Sequence, residues 1–310
     1  MLRRSTLLGD QRGYSLFDEQ GSTLERIPSS ELKDYIYVYE LSSHSFWRAF
    51  HTSKNDISIE TKKLNKKFDK VQAVKNLDLQ VDVGSRFGFL GPNGAGKTTT
   101  VRMLSGLMRP TSGQATVCGF DIVKDASKVK GVTGLLPEAP GVYSKLSAVE
   151  FLEFIGALRD MKGEALRKRI DRLLAMLGLE SRENDLLESY SSGMKQKVLV
   201  ASTLLHDPKL VFLDEPTSRL DPAASALIKD LILALAKETH TTFFICTHQT
   251  AFAEGVCDEI GILSEGQLVT AGPPEDIMRS VKAKTLEDAY LAIVGGKVDR
   301  EKLLEWRKGK

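Results

Sequence analysis

Gly91-Pro92-Asn93-Gly94-Ala95-Gly96-Lys97-Thr98 satisfies G-x-x-x-x-G-K-S/T, and nothing else in the 310 residues restricts the possible folds as tightly. A backbone that wraps an anion with its own N–H groups needs residues without a side chain, and Gly91, Gly94 and Gly96 supply them. The apolar run Arg86–Leu90 leads straight into this loop as a predicted strand. Thr98–Met108 leaves it with helical character and stops at Arg109-Pro110, where proline breaks the turn. Strand, glycine loop and helix make half of a βαβ unit, which demands a parallel sheet covered by helices. A loop so placed is a concave anion nest at a helix N-terminus, where the dipole favours negative charge. Lys97 offers a point charge to β- and γ-phosphates, the Thr98 hydroxyl is a magnesium ligand, and Thr99 continues the same cradle. A glycine turn with no ligand would need neither flanking element.

The rest of the chain extends that unit. Ile57–Leu64 and Leu77–Val81 alternate as half-buried strands, a β-rich layer ahead of the loop. From Ser147 the period changes. Val149, Phe151, Leu152, Phe154 and Ile155 form one apolar stripe, and Leu166, Ile170, Leu173, Leu174 and Leu177 form another that ends at Gly178, so a helical insertion is expected from about 140 to 190. Leu210–Leu213 and Thr242–Ile245 are short apolar strands separated by Pro222–Thr239, which is helical in period. The expected fold is α/β: a P-loop NTPase core with a mostly parallel sheet, an antiparallel β subdomain and a helical insertion subdomain. Residues 1–55 read as a polar, loosely docked extension with one strand-like patch, Tyr35–Tyr39, and no assignable chemistry. The nucleotide-binding domain is expected over 56–272 and a helical tail with two weak amphipathic stretches over 273–310.

Leu210-Val211-Phe212-Leu213-Asp214-Glu215 is an apolar strand ending in two carboxylates, a costly arrangement beside a core unless a cation is near. Alone it is weak; downstream of a P-loop lysine it is the expected second half of a phosphate site. Asp214 at the strand end can hold magnesium, and Glu215, one residue further, can orient or deprotonate an attacking water. Composition narrows the partners. A net charge of +2 gives none of the basic excess that nucleic acid calls for, so no nucleic-acid partner is expected. No apolar run approaches the 18 or so residues of a membrane span. The three scattered cysteines, Cys118, Cys246 and Cys257, suit a reducing compartment better than a disulfide framework.

At this point the sequence resembles the ATP-binding-cassette family, over roughly Ile57 to Gly296. Tyr190-Ser191-Ser192-Gly193-Met194-Lys195-Gln196 is similar to that family's signature motif, which distinguishes it from other P-loop proteins. The resemblance implies that Ser191, Ser192 and Gly193 reach ATP held by a partner subunit, with Ser191 donating its hydroxyl and Gly193 its N–H to the γ-phosphate. It implies that Phe68 stacks on adenine and that His248, in Cys246-Thr247-His248, senses the γ-phosphate. Glu138, in Leu135-Leu136-Pro137-Glu138, stands where the family carries a glutamine in the loop that couples nucleotide to the membrane partner; it keeps an oxygen near magnesium and adds a charge. Arg219, in Ser218-Arg219-Leu220-Asp221, stands where a small residue is usual. The Leu-Pro-Glu form, the Tyr-Ser-x-Gly-Met-Lys-Gln form and Thr285-Leu286-Glu287-Asp288-Ala289-Tyr290-Leu291 together resemble the drug-exporter-like branch.

The function this implies is ATP binding and hydrolysis with Mg2+ at the cytoplasmic face of a membrane, driving export through a membrane-spanning permease on a separate chain. Two ATP-binding subunits would sandwich ATP head to tail in an ATP-dependent dimer. A soluble cassette ATPase acting on ribosomes or DNA is the alternative; the former usually carry two cassettes in one chain, and the latter a long coiled coil for which the stretch between Lys97 and Ser191 is too short. A P-loop kinase would lack the signature and the Asp214-Glu215 pair with its downstream histidine.

Overall fold

The computed structural model describes residues 6–10, 13–17, 23–27, 57–138, 141–218 and 220–295. The chain divides into two units, Met1–Asp56 and Ile57–Lys310. In the first, β1 (Thr6–Asp10), β2 (Gly13–Phe17) and β3 (Thr23–Ile27) form an antiparallel meander, with Asp10 opposite Gly13 and Tyr14 opposite Ile27. None of these three strands was expected from the sequence. Five-residue strands with interspersed polar residues are too short to print a clear period of two. The Tyr35–Tyr39 patch lies outside the described residues.

The second unit opens with a long hairpin, β4 (Ile57–Phe68) and β5 (Val71–Asp82), paired antiparallel from Ile57–Asp82 at its base to Phe68–Val71 at its tip. Both strands run past the expected limits of Leu64 and Leu77. Beyond Leu64 β4 buries nothing and before Leu77 β5 buries only Val74, so these outer halves carry no buried-face alternation to read. β6 (Arg86–Leu90) follows as expected, and α1 is Lys97–Leu104, four residues shorter at its end than the expected helix. Gly106 in a left-handed conformation (φ 69°) stops it before the proline, and the N–H groups of Leu107 and Met108 close back on the Arg102 carbonyl. β7 (Ser112–Val117) and β8 (Phe120–Asp121) complete an antiparallel sheet of order β5-β4-β7-β8.

After α2 (Ala126–Val132) comes β9 (Thr133–Leu136), then the insertion. Its first helix, α3 (Ala148–Ala157), starts in a capping box between Ser147 and Glu150; α4 (Gly163–Met176) packs beside it, with two short 3-10 turns before Tyr190. Leu166, Ile170, Leu173, Leu174 and Leu177 are buried as their stripe predicts, but Phe154 is 39% exposed and packs edge-on against the exposed Tyr143 instead. α5 (Ser192–Leu204), β10 (Leu210–Asp214), α6 (Pro222–Thr239), β11 (Thr242–Thr247), α7 (Thr250–Val256), β12 (Glu259–Ser264), β13 (Gln267–Gly272), α8 (Pro274–Ser280) and α9 (Leu286–Val294) finish the described chain. No described helix is long and apolar enough to cross a membrane.

The main sheet has the order β13-β12-β6-β11-β10-β9, parallel throughout except for the antiparallel edge strand β13. Its central strands are buried on both faces and feed two separate cores. Leu210, Phe212, Phe244 and Cys246 face the antiparallel sheet and α1, while Val211, Leu213, Phe243 and Ile245 face the insertion and C-terminal helices. On the first side Phe244 holds Phe87, Phe89 and Phe212 at centroid distances of 5.5, 5.2 and 5.8 Å. At the other end of the sheet, His206 just beyond α5 approaches the Thr133 carbonyl with Nε2 at 3.0 Å, and burial followed by the charge of Arg159 pushes its pKa down to about 4.

Candidate functional site

The P-loop is held in shape from outside. Gly96 caps α1 at φ 107°, and a β-carbon there would lie 2.3 Å from the Ala73 carbonyl oxygen of β5; one on Gly91 would lie 2.5 Å from the Leu263 carbonyl oxygen of β12. Both positions therefore need glycine for close backbone approach, and Gly96 also for its dihedral. The β12–β13 turn braces the loop further: Gly266 donates its N–H to the Ala95 carbonyl (3.0 Å) and accepts from the Lys75 N–H (2.7 Å). No acidic residue and no side-chain cap sits on the first turn of α1, so its N–H groups remain directed at the loop's concavity.

That concavity is a cavity of about 340 Å³, lined by Pro92, Asn93, Gly94, Gly96, Lys97, Thr98 and Thr99, with Ala73, Glu138, Asp214 and Glu215 opposite. Lys97 is buried and donates to the carbonyls of Gly91 (2.6 Å) and Pro92 (3.3 Å), with Glu215 Oε1 at 3.8 Å. Glu215 is itself buried and sits in the left-handed region (φ 54°), a strained setting for a side chain of this length. Its N–H is anchored on the Cys246 carbonyl, Oε1 meets His248 Nδ1 at 2.9 Å, and Oε2 accepts from the Thr247 hydroxyl at 3.3 Å. β10 and β11, in parallel register, thus deliver the acid and the histidine to one point.

Asp214 lies beneath, 2% exposed. Burial pushes its carboxyl above the ordinary carboxylate range, and the charges of Glu138 and Glu215 push the same way, against a hydrogen bond from Thr98 and the Lys97 ammonium. Its Oδ1 is buried with no partner among the described residues. An orphaned carboxylate oxygen beside a threonine hydroxyl is the hard-oxygen donor set that fits Mg2+, which takes one or two carboxylates and fills its shell with phosphates and water. No three His, Cys, Asp or Glu side chains form a metal cage among the described residues.

The structure therefore brings together the P-loop, Glu138, Asp214 and Glu215, with His248 joined through Glu215. It does not bring in Phe68, which is 42% exposed at the β4–β5 tip with the Lys66 ammonium 5.0 Å from its ring centroid. Nor do Ser191, Ser192 and Gly193 line this cavity. Ser191 caps α5 by accepting from the Met194 N–H (3.3 Å), and one turn on, Gln196 Nε2 donates to the Pro216 carbonyl (3.1 Å), next to Glu215. Arg219 lies outside the described residues. Sequence reasoning missed Ala73, Thr247 and Gln196. Thr247 was within reach as the strand-end hydroxyl before His248; Ala73 carries no local signal because it arrives from a different sheet.

A family model described as "ABC transporter" matches residues 74–218. The bacitracin transport ATP-binding protein BcrA of Bacillus licheniformis is 40% identical over 229 residues, 74% of each chain. The linearmycin resistance ATP-binding protein LnrL of Bacillus subtilis is 34% identical over 228 residues, 74% of this chain and 73% of its own. Among solved structures, an ATP-binding subunit of an ABC transporter superposes with a TM-score of 0.68 at 28% identity, covering 76% of this chain and 98% of its own. A dimeric post-hydrolysis cassette bound to ADP and Pi gives 0.64 at 25% identity, covering 69% and 98%.

Proposed function

The chain belongs to the ABC transporter family of ATP-binding proteins, and from that premise we propose that it hydrolyses ATP to drive export through a membrane-spanning permease on another chain, at the cytoplasmic face of the membrane. The observation that carries hydrolysis is the placement of Glu215: on the wall of the phosphate cavity, strained, and gripped by Lys97, Thr247 and His248. Export is inferred from the relatives, among them proteins named for bacitracin transport, linearmycin resistance and Nod factor export.

In this reading the α1 N-terminus and glycine N–H groups take the triphosphate, and Lys97 exchanges the Gly91 and Pro92 carbonyls for β- and γ-oxygens. Thr98 and Asp214, with Glu138 nearby, would hold Mg2+, which supplies charge neutralisation on the leaving phosphates. Glu215 accepts or orients the proton of the attacking water, with its second oxygen fixed by Thr247 and its first by His248. Phe68, exposed and braced from one side by Lys66, is free to stack its other face on a base. The Ser191–Gly193 turn lies off its own cavity; in this reading, as the resemblance to the cassette family implies, it reads nucleotide held by a second subunit, and ATP cross-links the two.

Glu215→Gln with ATP and magnesium, run on size-exclusion chromatography, tests this directly. The mutant is expected as an ATP-dependent dimer where wild type is mostly monomer, and Ser191→Arg added to it should return it to monomer. A dimer that persists in the double mutant would detach the signature turn from nucleotide. ATPase activity should fall to background in Lys97→Ala with far-UV circular dichroism unchanged; undiminished turnover there removes the central claim. Co-purification with ribosomes or DNA at physiological salt, and with no membrane protein, would replace the transport reading by the soluble one.

A further inference from the structure

Glu215 keeps a left-handed backbone, φ 54°, that a residue with a long side chain does not adopt unaided. The peptides on both sides of it must be held. On one side its own N–H is fixed on the Cys246 carbonyl of β11 (2.9 Å). On the other side stands Pro216, which has no N–H to anchor, so its carbonyl is the next backbone group that can be gripped. Gln196 grips it, with Nε2 donating to that carbonyl at 3.1 Å. Thr217, the residue after, is buried with its hydroxyl 3.5 Å from Gln249 Oε1, and the Gln249 N–H donates to the Thr247 hydroxyl (3.0 Å). The turn Glu215–Thr217 is thus clamped between the end of β11 and the first turns of α5. That helix is seated in turn: a β-carbon on Gly193 would lie 3.6 Å from Asp221 Oδ2 and from the Ala224 β-carbon, so α5 starts in close contact with the start of α6. Ser191 caps this same α5. One side-chain hydrogen bond therefore joins the helix of the Ser191–Gly193 turn to the acid within a single chain.

We propose that Gln196 is a positioning residue for hydrolysis: through the Pro216 carbonyl it sets the direction in which Glu215 enters the phosphate cavity, and it makes that direction depend on how α5 is seated. The inference rests on Glu215 being the acid of the hydrolytic step. Gln196 does not line the cavity and acts only through Glu215. A small rotation of the peptide after Glu215 is carried along the side chain to the carboxylate, where a misplacement of about 1 Å can cost about 10²-fold in rate. A neutral amide suits the place, because it donates to a carbonyl without bringing a new charge beside the Lys97–Glu215 pair, whose members stand 3.8 Å apart.

The full-length protein is assayed for steady-state ATPase activity and, separately, for equilibrium binding of a fluorescent ATP analogue. Gln196→Met keeps the length of the side chain and removes the donor, so kcat should fall by about 10-fold to 10²-fold, with KM and analogue affinity within about twofold of wild type. Gln196→Glu, of the same shape but with an acceptor facing the carbonyl, should lose at least as much. The double variant Gln196→Met/Glu215→Gln separates positioning from general damage. Where Gln196 acts only by aiming the acid, the residual turnover of Glu215→Gln is not lowered further, whereas a loosened fold multiplies the two losses. Multiplied losses, a loss of analogue affinity that matches the loss in kcat, or wild-type turnover in Gln196→Met overturns the proposal and leaves the hydrolytic reading of Glu215 intact. A wild-type protein that binds the analogue but hydrolyses no ATP overturns that reading instead, and this inference with it.

Discussion

Replacing Glu215 by Gln separates hydrolysis from binding, and the structure gives a sign for each. The amide keeps the length of the side chain and one oxygen for the Thr247 hydroxyl or His248, which meet the carboxylate at 3.3 and 2.9 Å. What it loses is basicity, so the step that needs a proton acceptor should slow by about 10²-fold to 10⁴-fold, roughly 3–5 kcal/mol of barrier. Binding should move the other way. Lys97 and Glu215, both nearly buried, stand 3.8 Å apart; at an effective dielectric of about 20 their attraction is about 4 kcal/mol, an upper figure because desolvation of the pair offsets most of it. ATP must compete with that attraction for the ammonium. With the competing charge gone, affinity should tighten by roughly fivefold, about 1 kcal/mol. Single-turnover hydrolysis and equilibrium binding of labelled ATP measure the two effects separately. Wild-type turnover would show Glu215 to be only a strand end, and a tenfold loss of affinity would mean that its charge assists binding rather than opposing it.

Gly96→Ala should lose about 2–4 kcal/mol in urea denaturation together with nucleotide binding, because the new methyl meets the Ala73 carbonyl at 2.3 Å and an L-residue is forced to φ 107°; an unchanged midpoint would refute the close approach. Phe212→Ala, which removes one of the rings packed around Phe244, should cost about 3–5 kcal/mol and lower the Tm by about 10 °C without changing the metal ligands; a shift of only a degree or two would mean that the core collapses around the gap. Stability should fall as pH drops from about 6.5 towards 4, because His206, with its pKa pushed down to about 4, folds neutral while the unfolded chain takes up its proton at the ordinary value. Thermal melts of His206→Gln across that range should show a shallower slope, and an identical slope would assign the acid sensitivity to other groups.

Much of this fold was written locally. A glycine loop between an apolar strand and a helix, an apolar strand ending in Asp214-Glu215, and the helical period of Pro222–Thr239 are legible because their physics lies within a few consecutive residues. The hairpin's outer halves, β7 and β13 were not, since they are paired by backbone while their side chains stay largely in solvent, which leaves no hydrophobic period. Site residues divide the same way. Lys97, Thr98, Asp214 and Glu215 announce themselves by charge beside apolar runs, whereas Ala73 and Gln196 matter only through where a distant segment places them. Phe154 misled because helical spacing says which side chains share a face but not that the face is covered.

The strand that ends in the two carboxylates is also the wall between the two cores, with Leu210 and Phe212 set into one and Val211 and Leu213 into the other. An element clamped from both sides has no soft direction in which to drift, and its amides open only when the whole unit opens. Glu215 therefore follows directly on a strand held from both faces. Exposed apolar side chains such as Tyr143, in the loop before α3, and Phe154, on α3, belong to the insertion and not to the sheet. Such a layout lets the insertion change its sequence while the geometry around Glu215 stays where it was.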